Sequence, residues 1–133
     1  MAQQSMSPKE IVGTANRLLV SKRGREAVET YFSSDYIDHN RDTPGGNLAG
    51  LVQILEEQGF TEEAPNDRVL TLHVDHLIAE GDLVVVHQHI EEPGKPTLVF
   101  MDLFRVRDGR IVEHWDVIQP VPEHPANRAA SMF

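Results

Sequence analysis

Residues 98–119, near the end of the sequence, alternate between two faces, and three ionisable side chains fall among the apolar residues of one predicted face: Asp102, His114 and Asp116. Two carboxylates and an imidazole on a mostly apolar face are the composition expected of a ligand pocket that also performs proton chemistry. Carboxylates that share such a face tend to differ in proton affinity, so that one stays ionised as a base and the other stays neutral as a hydrogen-bond donor. The pattern favours abstraction of a proton next to a carbonyl group, with stabilisation of the oxygen on which charge develops.

Whether these groups share a face depends on the register of a predicted hairpin. Asp108-Gly109 between two alternating apolar runs is a strong hairpin signal. A three-residue loop that begins at Arg107 would place Asp102 opposite His114, whereas a two-residue turn would pair Asp102 with Trp115 and put His114 on the other side. We favour the three-residue loop because it gathers the polar groups. One face then carries Phe100, Asp102, Phe104, Val112, His114, Asp116 and Ile118.

A purely structural role is the alternative for the Asp102–His114 pair. Such a pair could satisfy itself across two strands and contribute ~0.2–1 kcal/mol to stability. Paired burial of ionisable groups is uncommon without a use, which favours a catalytic role for Asp102 and Asp116. Both interpretations stay open for His114, and Phe100 and Phe104 are the predicted apolar contacts to a ligand.

His39 and Asn40 are candidates for the same pocket. They lie in a passage, residues 36–41, that precedes the breaker residues Pro44-Gly45-Gly46 and is predicted to be an irregular loop, the kind of segment that often carries binding groups. His39 could donate a hydrogen bond to a substrate oxygen, with Asn40 as a neutral aid. Equally, His39 could bond a backbone carbonyl and only hold the loop.

The sequence also contains one weak metal signal. His87 and His89 fall on one face of a predicted strand, and Asp102 or His76 could complete a ligand set. The same spacing arises from ordinary strand alternation, and no helix-borne histidine motif supports it. We therefore expect no metal and assign His87 to the polar wall of the pocket.

The elements that must position these residues are three helices followed by strands. Ser7-Pro8 with Glu10 forms a capping box that opens the first helix. A second helical stretch covers residues 22–33. Asn47 can cap a third helix, which Gly59 ends.

From Arg68 onward the apolar period changes from helical to two, which predicts strands. The first, residues 69–79, places His76 and Ile78 on its apolar face and His73 and Asp75 on the other, where they face solvent. A strand at residues 83–91 and the two arms of the hairpin follow. The chain is predicted to be α+β, with about four long antiparallel strands packed against three N-terminal helices.

Composition limits the classes of partner. The 133 residues include 12 Lys and Arg against 21 Asp and Glu, a net charge of −9 that disfavours nucleic acid and anionic membrane surfaces. No cysteine is present, which excludes disulfides and thiolate chemistry. Length fits a single domain, 1–133, with a flexible start at 1–6 and an extended tail at 120–133. Without a signal-like or membrane-spanning segment, a cytoplasmic protein is expected.

Several motifs together resemble the SnoaL-like polyketide cyclase family, which belongs to the superfamily named after nuclear transport factor two. They are YIDHN at 36–40, AEGDLVVVH at 79–87, DLFRV at 102–106 and GRIVEHWDVIQ at 109–119. The resemblance implies a curved sheet wrapped by helices into a cone with an internal pocket, and a homodimer formed through the sheet. It also implies aldol-type chemistry without metal or cofactor, with Asp116 as acid and base and Asp102, His39 and Asn40 as polar pocket residues.

Two function classes follow from these observations. The first is a cofactor-independent acid/base enzyme for a small, mostly apolar carbonyl compound, a cyclase, aldol-type or isomerase reaction with Asp116 as base and Asp102, His39 and His114 assisting. The second is a non-catalytic module that holds a small ligand in the same pocket, because fold alone does not determine function.

Overall fold

The computed structural model describes residues 5–62 and 68–133, so residues 1–4 of the predicted flexible start lie outside the described residues. The elements are α1 (Pro8–Leu19), α2 (Gly24–Tyr31), β1 (Phe32–Asp38), a 3₁₀ turn (Pro44–Gly46), α3 (Leu48–Gln58), β2 (Thr71–Glu80), β3 (Leu83–Glu91), β4 (Leu98–Arg107) and β5 (Arg110–Pro120). The strands form one curved, unclosed sheet in the order β1-β5-β4-β3-β2. The predicted α+β class is confirmed, with five strands in place of about four.

Local sequence sets the helix boundaries much as predicted. The Ser7 hydroxyl accepts from the Glu10 amide at 3.2 Å, and the Glu10 carboxylate accepts from the Ser7 amide at 3.3 Å, which completes the capping box. Asn47 caps α3 by accepting from the Gly50 amide. Gly59 ends that helix in the left-handed conformation, φ 85°, which glycine adopts without strain.

The core lies between α1 and one face of the sheet. This face, here called the inner face, carries Phe100, Asp102 and Phe104, whereas the outer face carries Met101 and Leu103 of the same strand. The buried core residues are Ile11, Val12, Ala15, Phe32, Tyr36, Val84, Val86, Phe104, Val106 and Ile111. The helices therefore cover the inner face and leave the outer face without a covering helix.

The fifth strand, β1, corrects the prediction of an irregular passage at residues 36–41. It pairs in parallel with β5, with Ile37 opposite Glu113 and Asp38 opposite His114. Parallel pairing joins segments that are distant in sequence, so no hairpin signal announces it. Strand alternation then sends Tyr36 and Asp38 to the inner face and Ile37 to the outer face.

The hairpin between β4 and β5 has the two-residue turn, so the favoured three-residue register is wrong. Asp108 and Gly109 both have positive φ, 51° and 75°, as a type I′ turn requires. A register shift follows, because Val106 faces Ile111 whereas Arg105 faces Glu113. Val112 is the extra residue of this bulge, and the shift returns the later residues of β5 to the expected face. Asp102 therefore lies opposite Asp116, and Phe104 opposite His114.

A second bulge corrects the predicted faces of β2. The register with β3 shifts between Val74 and His76, which leaves Asp75 as the extra residue. Leu77 therefore packs against the core, whereas His76 and Ile78 turn to the outer face, where Ile78 is 59% exposed. His73 lies on the outer face as predicted, opposite His89.

The C-terminal residues run along the outer face. The Met132 carbonyl accepts a hydrogen bond from His87 Nε2 at 2.8 Å, and the Phe133 ring stacks on His89 with centroids 3.7 Å apart. Both residues therefore lie on the outer face of their own chain. None of the helices in the described parts of the chain is long and apolar enough to cross a bilayer.

Candidate active site

His114 is the centre of a buried polar network. Its Nδ1 lies 3.0 Å from Asp38 Oδ1, and its Nε2 lies 2.8 Å from Asp102 Oδ1. An ionised carboxylate can only accept, so both ring nitrogens donate and the side chain is an imidazolium. Burial by itself would lower the pKa of His114, but the hydrogen bonds and charges of Asp102 and Asp38 raise it to about 9. At neutral pH the network therefore holds a protonated imidazolium between two carboxylates.

Asp38 is saturated with hydrogen-bond donors. It accepts from the Tyr36 hydroxyl at 2.8 Å, the Asn40 amide at 3.0 Å and the Thr43 hydroxyl at 3.2 Å, in addition to His114. Burial would raise the pKa of Asp38, but the hydrogen bonds from His114 and Asn40 outweigh it and the pKa is lowered. Burial and the neighbouring Asp38 raise the pKa of Tyr36, which therefore stays protonated and donates. Asp38 is an anchored counter-ion without a free lone pair for chemistry.

The side-chain amide of Gln88 holds Asp102 on the side away from His114, and the amide of Asn16 holds Gln88. The Gln88 amide donates to Asp102 Oδ2 at 2.9 Å and to Asn16 Oδ1 at 3.0 Å. Asn16 in turn donates to Gln88 Oε1 at 2.7 Å. This reciprocal pair ties helix α1 to strand β3 and fixes Asp102 against the imidazolium.

Asp116 differs from Asp38 and Asp102, because no cation among the described residues forms a hydrogen bond with it. Asn40 Nδ2 lies 2.9 Å and 3.0 Å from its two oxygens. Burial raises the pKa of Asp116, and the hydrogen bond from Asn40 and the charge of His114 only partly offset this. An ionisable group with a raised pKa and a neutral partner is suited to take up and release a proton.

These groups line a cavity of about 130 Å³ between the helices and the inner face. At about 30 Å³ for each water molecule, this space holds roughly four waters. Its lining combines apolar side chains with the network just described: Asn16, Leu19, Val20, Phe32, Tyr36, Asp38, Leu51, Gln88, Ile90, Phe100, Asp102, Phe104, His114 and Asp116. His114 is the only cation among the described residues that line it.

The cavity continues into a wider mouth of about 610 Å³. Val20, Ile90 and Phe100 line both spaces, so they form the passage between them. The mouth is mostly apolar, and its rim carries the Arg68–Glu92 ion pair at 2.6 Å. A guest molecule could thus place a small end beside Asp116 and leave an apolar remainder in the mouth.

Most of the predicted pocket residues lie together. Asp102, His114 and Asp116 each contribute an atom to a group within 4.8 Å, with Asn40 bound to Asp116. Phe100 and Phe104 line the cavity, and the Phe104 ring lies 4.6 Å from the His114 ring. The sequence therefore placed these residues on one face, although it predicted the wrong turn between β4 and β5.

Two predicted residues lie outside the pocket. His39 is on the outer face, where Nε2 lies 2.8 Å from Glu113 and the ring stacks on Trp115 at 4.7 Å. It points away because β1 is a strand up to Asp38, and the next residue along must face the other side. Alternation in β3 likewise places Gln88 on the inner face and sends His87 to the outer face, where it bonds His76 and the tail.

Sequence reasoning missed five polar residues of the network: Asn16, Tyr36, Asp38, Thr43 and Gln88. Tyr36 and Asp38 carried a usable signal, since residues two apart share one face of a strand. Asn16 lies four residues after Val12 and three before Leu19, which placed it on the apolar face of α1. A polar residue within an apolar face was the available signal for a buried partner.

The cluster of Asp102, His114 and Asp116 has the residue types of a metal site. Both nitrogens of His114 already donate to carboxylates, so neither offers a lone pair to a cation. A metal ion here would have to break one of these buried hydrogen bonds. The donor set therefore fits proton chemistry better than metal binding.

The comparisons with known proteins agree with this architecture. A family model described as a SnoaL-like domain matches residues 16–114. No match was found among curated protein sequences. IdmH, a proposed polyketide cyclase from Streptomyces antibioticus, is 21% identical with a TM-score of 0.65, over 85% of this chain and 92% of that one.

Two other solved structures share the fold. A proposed ketosteroid isomerase from Kribbella flavida is 20% identical with a TM-score of 0.65, over 92% of this chain and 84% of that one. AclR, a proposed hydroxylase from Streptomyces galilaeus, is 20% identical with a TM-score of 0.60, over 90% of this chain and 91% of that one. At these identities the likeness extends to the fold alone.

Proposed function

The chain belongs to the SnoaL-like family, and from this premise we propose that it is a cofactor-independent acid/base enzyme for a small, mostly apolar carbonyl compound. The reaction is of the cyclase, aldol-type or isomerase class. The observation that supports this is the placement of Asp116, a carboxylate with a raised pKa, in a cavity beside the fixed imidazolium of His114. The chemistry of these residues supplies the reaction type, and the fold does not.

In the proposed mechanism Asp116 removes a proton from the carbon next to the substrate carbonyl. Asn40 holds the carboxylate through both oxygens and orients it towards the cavity. As Asp116 becomes neutral, the negative charge passes to the substrate oxygen. Both N–H groups of His114 are donated to Asp38 and Asp102, so the imidazolium acts on the developing anion through its charge and not through a hydrogen bond.

The roles of Asp102 and Asp38 follow from their hydrogen bonds. Both accept from His114, so each acts on the substrate through the imidazolium and is a positioning residue. Asp102 accepts from Gln88 at its other oxygen, so both of its oxygens are engaged in holding the network. We therefore assign Asp116 as base and His114 as its electrostatic partner.

Hydrogen–deuterium exchange tests this proposal without knowledge of the natural substrate. 2-Tetralone is a small apolar ketone with acidic protons next to its carbonyl, and their exchange in D₂O is followed by ¹H NMR. We expect the wild-type protein to accelerate the exchange above the buffer rate in a saturable manner. Asp116→Asn should return the rate to that of buffer, and Asp35→Asn, an exposed position on β1, should not.

The alternative function is a non-catalytic module that holds a small ligand. The apolar lining of the cavity and its mouth supports this class as well. Saturable binding of 2-tetralone without any acceleration of exchange would favour the module over the enzyme. A carboxyl resonance of Asp116 that titrates like that of free Asp, near ~3.9, would point the same way.

We further propose that two copies associate through the outer face to form a homodimer. Met101 and Val117 lie opposite each other on adjacent strands and are 50% and 72% exposed, and no helix covers them. Exposed apolar side chains grouped on one face are typical of protein–protein contacts. Light scattering after size exclusion is expected to give the mass of a dimer for the wild type and of a monomer for Met101→Lys/Val117→Lys. Gln53→Lys, on the exposed side of α3, is the control and should stay dimeric.

A further inference from the structure

Four histidines lie on the outer face of β2 and β3, on the opposite side of the sheet from the candidate active site. They form two cross-strand pairs, His73 with His89 and His76 with His87. We propose that His73, His89 and Glu91 bind one divalent transition-metal ion of the zinc type. The site is independent of the proposed proton chemistry, because the sheet separates the two.

Strand pairing brings the three ligand groups together. His73 and His89 are directly opposite each other, and Glu91 follows His89 by two residues on the same face. His73 Nε2 lies 3.0 Å from Glu91 Oε1, and His89 Nε2 lies 3.7 Å from the same oxygen. One ligand atom from each residue falls within 4.8 Å of the others. Two imidazoles and one carboxylate are a ligand set that zinc accepts, with its fourth position open.

Asp75 supplies the orientation that a ligating histidine requires. His89 Nδ1 lies 2.7 Å from Asp75 Oδ2, so this nitrogen donates to the carboxylate and leaves the lone pair on Nε2, 3.7 Å from Glu91 Oε1. A ligating histidine almost always donates its other ring N–H to such a partner. Strand alternation places Asp75 on the outer face with His73, and the bulge leaves Asp75 without a partner residue on β3.

The three proposed ligands differ in burial: His89 is buried, whereas His73 and Glu91 are exposed. The side chain of His89 is 7% exposed, between the rings of His73 and Phe133. The side chains of His73 and Glu91 are 43% and 55% exposed, so His73 is free to turn out of its stack on His89 and Glu91 to move with it when an ion binds. Zinc–nitrogen distances of about 2.0–2.1 Å require such a movement. Asp75 and Glu91 place two negative charges beside the ion, which favours a cation.

The neighbouring pair, His76 and His87, lacks these features. Their Nδ1 atoms lie 2.9 Å apart and bond each other, and His87 Nε2 donates to the Met132 carbonyl. These bonds occupy three of their four ring nitrogens. The sequence suggested His87 and His89 as ligands of one metal ion because they lie on one face of the same strand. In the structure the histidine opposite His89 is His73, from the adjacent strand.

Isothermal titration with zinc sulfate, on the 133-residue protein stripped with chelator and dialysed, tests the proposal. We expect one zinc ion for each chain, with affinity reduced at least 10-fold by His73→Ala and by the nearly isosteric Glu91→Gln. Asp75→Asn should weaken binding by roughly 10-fold, because it removes the orienting partner and no ligand. Circular dichroism confirms that each variant is folded.

Two variants serve as controls for location. His76→Ala alters the other pair on the same face, and Asp116→Asn alters the cluster in the cavity; neither should change the zinc affinity. Bound zinc should also raise the melting temperature of the wild type and not that of His73→Ala. Absence of binding, binding that survives in both ligand variants, or equal loss in either control would overturn the proposal. Half an ion for each chain would also overturn it, since the ion would then lie between two copies.

Discussion

Asp116→Asn is expected to lower the rate of enzyme-catalysed exchange on 2-tetralone by about 10²–10⁴, the range that a general base contributes. The substitution keeps the volume and shape of the side chain and removes its negative charge. Asn40 can still donate to the carbonyl oxygen of the new amide, so the local contact survives. The loss should therefore fall on the chemical step and leave ligand binding almost unchanged.

Separate measurement of binding and exchange makes this result decisive. The dissociation constant of 2-tetralone, from NMR titration, should agree between the wild type and Asp116→Asn within about threefold. Asp35→Asn controls for a general effect of lost negative charge, because it makes the same chemical change at an exposed site. An exchange rate in Asp116→Asn that equals the wild-type rate would exclude Asp116 as the base.

The predictable part of the site came from alternation along two adjacent strands. Asp102 and Asp116 could be placed on one face because a hairpin joins their strands, and hairpins carry a local signal. The register itself was wrong, because a two-residue turn followed by a bulge produces nearly the same faces as a three-residue loop. A bulge has no reliable sequence signal here, since Val112 is as ordinary a strand residue as its neighbours.

The unpredictable part came from contacts between distant segments. Asp38 reaches His114 only through the parallel pairing of β1 with β5, across 76 residues of sequence. The breaker residues at 44–46 made this stretch look like a loop, and that interpretation misplaced His39. The same pairing explains why Asp38, and not His39, belongs to the network. Long-range pairing decided the faces that local pattern left open.

The long-range contact also separates the two carboxylates of the hairpin into different roles. Asp102 shares the imidazolium with Asp38, whereas Asp116 has only the neutral amide of Asn40. Equal residue types at adjacent positions of a sheet thus acquire different hydrogen-bond partners from the third strand and the loop beyond it. These partners come from segments distant in sequence, so alternation along the hairpin could not assign them.

The charge on His114 predicts an unusual dependence of stability on pH. Its pKa is raised from 6.5 to about 9 in the folded protein, so its contribution is fully present below about pH 6.5 and is lost as the pH rises through 9. The difference corresponds to roughly 3 kcal/mol of the free energy of unfolding. Wild-type protein should therefore lose stability between pH 6.5 and 9.5 in urea denaturation at one fixed protein concentration.

His114→Gln tests this effect, because titrating groups outside the network contribute equally to both proteins. At pH 6 the variant should be less stable by about 3 kcal/mol, since Asp38 and Asp102 keep their buried charges without the cation. The gap should narrow towards pH 9.5, where the wild-type imidazole is neutral too. His124→Gln, in the exposed tail, should reproduce the wild-type decline. Parallel curves for the wild type and His114→Gln would mean that His114 is neutral in the folded state, and the imidazolium on which the proposed mechanism depends would be absent.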